Sequence, residues 1–168
     1  MITKFKVFEN IDIKQGLNLE LVYYSSKTSS LQKMRELIDN GADVNYNDIN
    51  DGTPLMRAAT AMFYSGVKLL IENGADVNIK NRYGETAFFR IMCLPLSTIM
   101  KNKDKIKKII DLFIINNVDL SEKNKGGNDI FAYLDLDRHT NLRGYIKDKF
   151  PNQYNEYIMK KEAEKYNL

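Results

Sequence analysis

The feature that most restricts the fold of this chain is an internal repeat with a period of 33 residues. The segment Gly-Ala-Asp-Val-Asn at residues 41–45 recurs without change at residues 74–78. A second segment has the same spacing, with Thr-Pro-Leu at residues 53–55 and Thr-Ala-Phe at residues 86–88. Two matching anchors in one register predict stacked copies of a single unit, because a unit of this size cannot bury its apolar face alone.

Both anchors resemble the ankyrin-repeat family, whose unit of about 33 residues carries the signature Thr-Pro-Leu-His-x-Ala. Here residues 53–59 read Thr-Pro-Leu-Met-Arg-Ala-Ala, so Met56 stands at the usual His position. Asp51 stands at a position where the family usually has Gly. The resemblance implies an all-α solenoid of helix-turn-helix pairs, joined by hairpin-like turns and closed by a C-terminal capping helix.

Weaker copies of the repeat, placed in the same register, divide the whole chain into predicted units. Asn117 stands where Gly74 stands one repeat earlier, but 43 positions apart, so this repeat carries about ten extra residues, expected at 94–104. The predicted units are a degenerate N-terminal half repeat or cap (1–17), an ankyrin-like repeat (18–50), an ankyrin repeat (51–83), an ankyrin-like repeat with the insertion (84–126), a degenerate last repeat (127–150) and a capping helix (151–168). The alternation of apolar residues at 5, 7, 11 and 13 also permits an N-terminal hairpin, although the half repeat is preferred.

Helical periodicity supports this division without reference to the family. Apolar residues recur every three or four positions from Leu31 to Ile38, from Val67 to Ile71 and from Ile106 to Ile114. Each stripe ends at Gly41, Gly74 or Asn117, residue types that tolerate the left-handed backbone that follows a helix. Thr53 and Thr86 are predicted N-caps, and Asp129 is predicted to replace Thr in the last repeat.

Composition restricts the class of protein. The net charge of +3 is too small to indicate a polyanionic partner by itself. Cys93 is the only cysteine, which excludes an internal disulfide or a four-cysteine zinc site and favours a reducing compartment. The N-terminus lacks the apolar stretch of a secretory signal, and no apolar run approaches the roughly 20 residues of a membrane span. A monomeric, cytoplasmic protein with no membrane contact is therefore expected.

Residues suited to catalysis are few. His139 is the only histidine and lies in a polar stretch with Asp135 and Asp137, which lacks the Gly and distal Glu of a calcium loop. Cys93 has no neighbouring base in the sequence, and the glycines at 126 and 127 lack the Gly-Lys-Ser or Gly-Lys-Thr of a phosphate-binding loop. No enzymatic activity, cofactor or metal is expected.

The resemblance implies that a partner protein binds the concave face, which turn tips and first helices form. Arg82 and Tyr83 are the strongest candidates, because Arg and aromatic side chains dominate interface energetics. Phe63, between two predicted helices, is expected to be exposed. The full predicted set is Ile49, Asn50, Gly52, Phe63, Arg82, Tyr83, Glu85, Lys125 and Asn128.

The function expected from these residues is a non-enzymatic protein-protein interaction module, such as a bacterial or viral effector, an adaptor or an inhibitor. One alternative is an immunity-type protein that neutralises a toxin. A second alternative is a binder of nucleic acid or of an acidic surface, although nucleic acid is the less favoured partner. That alternative depends on one basic cluster, formed by Lys101, Lys103, Lys105, Lys107 and Lys108. A solvated helix face is the simpler interpretation of these lysines.

Overall fold

The computed structural model describes residues 4–50, 52–121, 123–135 and 140–166. Within these ranges the chain forms ten α-helices and no β-strand, which confirms the predicted all-α class. The helices are α1 (Lys4–Ser25), α2 (Leu31–Asp39), α3 (Pro54–Thr60), α4 (Tyr64–Glu72), α5 (Ala87–Met92), α6 (Leu96–Lys101), α7 (Lys103–Ile115), α8 (Ile130–Asp135), α9 (Thr140–Lys149) and α10 (Pro151–Tyr166). None of the helices in the described ranges combines the length and apolar character needed to cross a membrane.

The helices stack as pairs in two rows. In the first row α1 contacts α3, α3 contacts α5 and α5 contacts α8, while in the second row α2 contacts α4 and α4 contacts α7. The apolar stripes predicted from the sequence point between the rows, where Met34, Leu70 and Phe113 are fully buried. The rings of Phe88 in α5 and Phe113 in α7 approach to 6.3 Å between centroids and join the two rows. The core is therefore a continuous layer shared by successive pairs, as expected for a solenoid.

The first helices of the second and third repeats, α3 and α5, are short, and each begins at an N-cap threonine. The side-chain oxygens of Thr53 and Thr86 accept the backbone N–H groups of Met56 and Phe89, each over 3.2 Å. Pro54 occupies the first turn of α3, where a missing N–H costs nothing. Both predicted caps are confirmed, and each satisfies an N–H that the helix itself leaves without a partner.

The residues that end the second helices adopt the predicted left-handed backbone. Their φ angles are +91° at Gly41, +87° at Gly74 and +57° at Asn117. A side chain with a Cβ is strained in this conformation, and Asn tolerates it better than most residues. The loop after each second helix therefore turns in the same way, although the third copy lacks the glycine.

Asparagine side chains join these loops from one repeat to the next. Asn45 donates its side-chain N–H to the carbonyl of Gly74 (3.0 Å) and accepts the N–H of Asp76 (2.8 Å). One repeat later, Asn78 makes the equivalent bonds with Asn117 (3.1 Å) and Asp119 (2.8 Å). We call these bonds the asparagine ladder. It ends at residue 121, the next equivalent position, which is a serine.

The N-terminal segment differs from the sequence-based prediction. The sequence predicts a half repeat or cap at residues 1–17, or a hairpin there, but the described residues of this segment, 4–17, lie inside the 22-residue helix α1. Turn-forming Asn10 and Asp12 are thus accommodated by a helix whose later part packs against α2 and α3. The C-terminal part of α1 occupies the first-helix position of the first pair.

The third repeat contains an additional helix. In the second repeat Ala61–Phe63 directly join α3 to α4, whereas α6 lies between α5 and α7. Ile99 of α6 is buried, so the helix is anchored to the core. Helix α7 also starts about one turn earlier than α4 does in its repeat. The extra length of this repeat therefore consists of helix α6 and the additional first turn of α7.

Helix α10 closes the C-terminal end, as predicted. The ring of Phe131 in α8 packs edge-on against Tyr154 (5.9 Å between centroids) and stacks with Tyr157 (5.5 Å) of α10. Most of the remaining side chains of α10 are exposed and polar. One aromatic side thus covers the last repeat while the other side faces water, which is the arrangement that a terminal cap requires.

Candidate partner-binding surface

Three turns precede α3, α5 and α8, at residues 48–50 and 52, 81–85 and 124–128. Each is closed by a backbone bond between its first and last residue, for example from Asn81 N–H to the Glu85 carbonyl over 2.9 Å. The side-chain oxygen of the first residue also accepts N–H groups from within the turn, as Asn81 does from Tyr83 (2.9 Å) and Glu85 (3.0 Å). Asn124 accepts the N–H groups of Gly126 and Asn128 in the same way, and Asp48, at the equivalent position of the first turn, accepts the N–H of Asn50. The tips are therefore preorganised.

Adjacent turns are also bonded to each other. The side chain of Asn47 donates to the Lys80 carbonyl over 2.8 Å, and the backbone N–H of Lys125 donates to the Tyr83 carbonyl over 2.9 Å. Gly84 has a φ of +77°, and a Cβ there would lie 3.0 Å from the backbone nitrogen of Lys125. Close approach between the second and third tips thus requires glycine at this position.

Arg82 and Tyr83 form a compact pair on the middle tip. The Arg82 guanidinium lies 4.7 Å from the centre of the Tyr83 ring and donates a hydrogen bond to the Tyr83 hydroxyl. Tyr83 remains 47% exposed despite this contact. A cation over an aromatic face is attracted by the ring's quadrupole, so the two side chains hold each other in a defined orientation. The pair presents both an apolar surface and donor groups to a ligand.

Four further predicted contact residues are exposed on the neighbouring tips. Ile49 is 71% exposed on the first tip, beside Asn50. Lys125 and Asn128 are exposed on the third tip. Together with Arg82 and Tyr83 they form a continuous row across three repeats, which we call the tip surface.

Three predicted contact residues do not contribute exposed side chains in this way. Phe63, which the sequence places at an exposed position, is instead only 6% exposed, and its ring lies against Gly66 in the next turn of α4. Gly52 is buried and has no side chain to offer a partner. It adopts the left-handed φ of +76° at the end of its turn. Glu85 is directed into its own repeat, where it accepts a bond from Asn81 (3.1 Å) and pairs with Arg90 (3.5 Å).

The tip surface continues into a groove beside the last repeat. The groove has a volume of about 390 Å³ and lies between residues 120–131 and α10. Asn128 lines it together with the stacked rings of Phe131 and Tyr157. Lys160 on its α10 side pairs with Glu156 over 2.8 Å, and this bond raises the pKa of Lys160. The row of tips thus ends in a pocket with apolar and charged walls.

The basic cluster lies on α6 and α7, away from the tips. Lys101, Lys105 and Lys108 are exposed, whereas Lys103 and Lys107 are half-buried. The five lysines therefore do not share one solvated face. This difference within the cluster was not visible in the sequence.

Lys107 is held by contacts that sequence reasoning missed. Its Nζ atom lies 4.9 Å from the centre of the Tyr145 ring, and Lys149 approaches the same ring to 5.5 Å. The Tyr145 hydroxyl donates to Asp111, which also pairs with Lys149 over 3.3 Å. Burial, and then the bond to Asp111, raises the pKa of Tyr145 above its usual range. This cluster joins α7 to α9.

The remaining candidates for chemistry form no common site in the described part of the chain. Cys93 is exposed at the C-terminus of α5. His139, Asp137 and Asp51 lie outside the described residues. Among the residues that are described, no group of three or more His, Cys, Asp or Glu side chains is arranged to hold a metal ion.

Comparison with known proteins agrees with the repeat geometry. A family model described as ankyrin repeats (three copies) matches residues 2–81. The serine/threonine-protein kinase 12 of Arabidopsis thaliana is 37% identical over 83 residues, which is 49% of this chain and 18% of the kinase. The chain therefore spans less than a fifth of that relative's length. The kinase activity given in the relative's name is a property of that longer protein.

Proposed function

We propose that this chain, which matches ankyrin repeats over residues 2–81 and continues as stacked helices beyond them, binds one partner protein across its tip surface. Ankyrin repeats are protein-interaction modules, and that coarser function holds for this chain. The proposal adds the surface, a non-enzymatic role and a monomeric state. It also adds a reducing, cytoplasmic setting, which suits the single exposed thiol of Cys93.

The observation that carries the proposal is the Arg82 and Tyr83 pair. Tyr83 stays half exposed at the centre of three bonded turns, with its ring orientation set by Arg82. Tyr and Arg are the residue types that most often supply large shares of binding energy, especially near the middle of an interface. Because the turns are held by hydrogen bonds before binding, this protein loses little conformational entropy when a partner binds to them.

A rigid surface of this kind suits two roles. An adaptor would hold its partner while leaving the partner's own activity intact. An inhibitor, such as an effector acting on a host protein or an immunity-type protein acting on a toxin, would cover the partner's functional site. Adding equimolar protein to the purified partner separates the roles, because only an inhibitor abolishes the partner's activity.

Affinity capture from the native cell or its host tests the tip surface. The bait is the full chain, compared with a Tyr83→Ala, Arg82→Glu double variant. Loss of such an anchor pair costs about 2 kcal/mol or more, equivalent to roughly a 30-fold weaker Kd for the captured protein. The partner recovered by the wild type is therefore expected to disappear from the double variant.

The chain offers a matched control for this experiment. Lys27 lies 5.0 Å from the centre of the exposed Tyr23 ring, near the C-terminus of α1 and far from the turns. A Tyr23→Ala, Lys27→Glu variant removes the same type of pair and makes the same change in charge. It is expected to retain the partner. A folded tip variant that captures the partner as well as this control does would refute the proposal.

A further inference from the structure

The inserted helix α6 lies at the end of the repeat opposite the tip surface. Helix α5 follows its N-cap Thr86, directly after the middle turn, and runs away from that turn to its C-cap Cys93. Helix α6 follows there, and α7 returns through Ile115 toward the next loop. Residue 102 is both the C-cap of α6 and the N-cap of α7, so the two helices meet at a one-residue break. Any ligand of α6 would therefore bind independently of the tips.

One side of α6 anchors the helix and the other carries exposed apolar groups. Ile99 is 1% exposed and packs into the core. Leu96 and Met100, which are four residues apart, are 43% and 53% exposed. Residues with this spacing share one helix face and lie about 5–6 Å apart at Cβ. The sequence thus places two large aliphatic side chains on a face that the solenoid leaves accessible.

Basic residues follow this apolar pair along the chain. Residues 96–108 contain five lysines and one acidic residue, Asp104. Lys101 is exposed at the end of α6, and Lys105 and Lys108 are exposed on α7. Lys103 and Lys105 also lie in the first turn of α7, where the helix dipole disfavours a positive charge. An acidic ligand would relieve both the mutual repulsion of the lysines and this cost.

We propose that α6 and the first two turns of α7 form a second interaction surface, which binds an acidic segment of a partner protein that carries aliphatic side chains. The aliphatic groups would contact Leu96 and Met100, and the carboxylates would face Lys101, Lys105 and Lys108. Charge complementarity selects the acidic partner, and the apolar pair selects protein over nucleic acid. A phosphodiester backbone supplies no group that covers Leu96 and Met100, and single-stranded bases usually stack on aromatic rings, which α6 lacks.

A peptide titration of the full chain tests this surface. The probe is a fluorescent peptide of roughly 16 residues, about four helical turns, with Leu at every third or fourth position and Glu elsewhere. We expect saturable binding that weakens as salt is raised, because part of the attraction is electrostatic. A peptide of the same composition with its leucines clustered at one end is expected to bind at least tenfold more weakly. Absence of saturable binding, or equal binding of both peptides, would overturn the proposal.

Two separate variants identify the residues. Leu96→Ser with Met100→Ser, and Lys101→Glu with Lys105→Glu, are each expected to raise the Kd for the peptide at least tenfold. Their substituted side chains are exposed, and far-UV circular dichroism verifies that each variant folds. Lys14→Glu with Lys68→Glu makes the same charge change on α1 and α4 and is expected to alter the Kd less than twofold. If this control weakens binding as strongly as Lys101→Glu with Lys105→Glu, the attraction is non-specific and the proposal is wrong.

Two further titrations separate this surface from the tip surface and from a nucleic-acid site. The Tyr83→Ala, Arg82→Glu variant is expected to bind the peptide normally, so failure of the tip surface and failure of this surface are distinguishable. A duplex DNA of the same total charge is expected to bind more weakly than the peptide. Tighter binding of the DNA, with the same dependence on Lys101 and Lys105, would replace the acidic protein segment with nucleic acid.

Discussion

The backbone N–H of Lys125 donates to the carbonyl oxygen of Tyr83 over 2.9 Å, which joins the tips of two consecutive repeats directly. Tyr83 therefore has two separate tasks: its backbone links the turns, while its side chain remains half exposed. Truncation of the side chain leaves the backbone bond in place. For this reason the Tyr83→Ala change is expected to remove binding energy without separating the repeats.

The asparagine ladder is expected to contribute measurably to stability. Asn78→Ala removes two hydrogen bonds between repeats, and at about 1 kcal/mol each the free energy of unfolding should fall by about 2 kcal/mol. Urea denaturation followed by circular dichroism measures this change. Asn73→Ala is the control, because the Asn73 side chain bonds only to Leu69 within its own helix. Equal losses of unfolding free energy from the two variants would show that the bonds between repeats stabilise the protein no more than a single local bond does.

Two helical glycines are expected to respond to alanine in opposite directions. A Cβ at Gly66 would lie 2.6 Å from the Phe63 ring, whereas a Cβ at Gly144 would meet nothing within 4 Å. Alanine normally stabilises a helix interior by about 1 kcal/mol relative to glycine, and overpacking costs roughly 1–3 kcal/mol. Gly144→Ala should therefore raise the melting temperature of the protein, and Gly66→Ala should lower it. A rise in both variants would contradict the described position of the Phe63 ring.

The loop carboxylate of Asp119 is expected to make a small contribution to stability that is lost in acid. The Ser121 hydroxyl, and then the Ser121 backbone N–H, lower the pKa of Asp119 from its ordinary value of 3.8. Because the pKa is lower in the folded state, the stabilisation is complete above the unfolded-state pKa and disappears as the pH falls through the folded one. Ser121→Ala should raise the pKa of Asp119, as measured by carboxyl NMR titration. Ser97→Ala, on the exposed face of α6, should leave that pKa unchanged.

Features set by short-range rules could be predicted from the sequence. A Thr before a helical stripe predicted the caps at residues 53 and 86, because the side chain must reach an N–H only three residues away. The left-handed backbone at Asn117 followed from the same kind of local argument. The exposure of Tyr83 was also predictable, since a turn tip has no core beneath it.

Features set by long-range packing could not be predicted in this way. The burial of Phe63 depends on Met62, which adopts a left-handed φ of +53°, and on the space left by Gly66. That glycine, three residues further on, was the available signal. The asparagine ladder was missed although Asn45 and Asn78 stand at equivalent positions, because a polar residue in a loop is usually solvated. The fold of the inserted residues had no earlier copy to serve as a template.

The asparagine ladder also determines how an array of this kind can grow. The ladder bonds of each asparagine side chain go to the corresponding loop of the next repeat, where it donates to one carbonyl and accepts one N–H. A tandem duplication of residues 46–78 would bring its own asparagine and would offer Asn45 the carbonyl and the N–H that its side chain requires. The chain could therefore lengthen by whole units in a single genetic event, with no compensating substitution elsewhere.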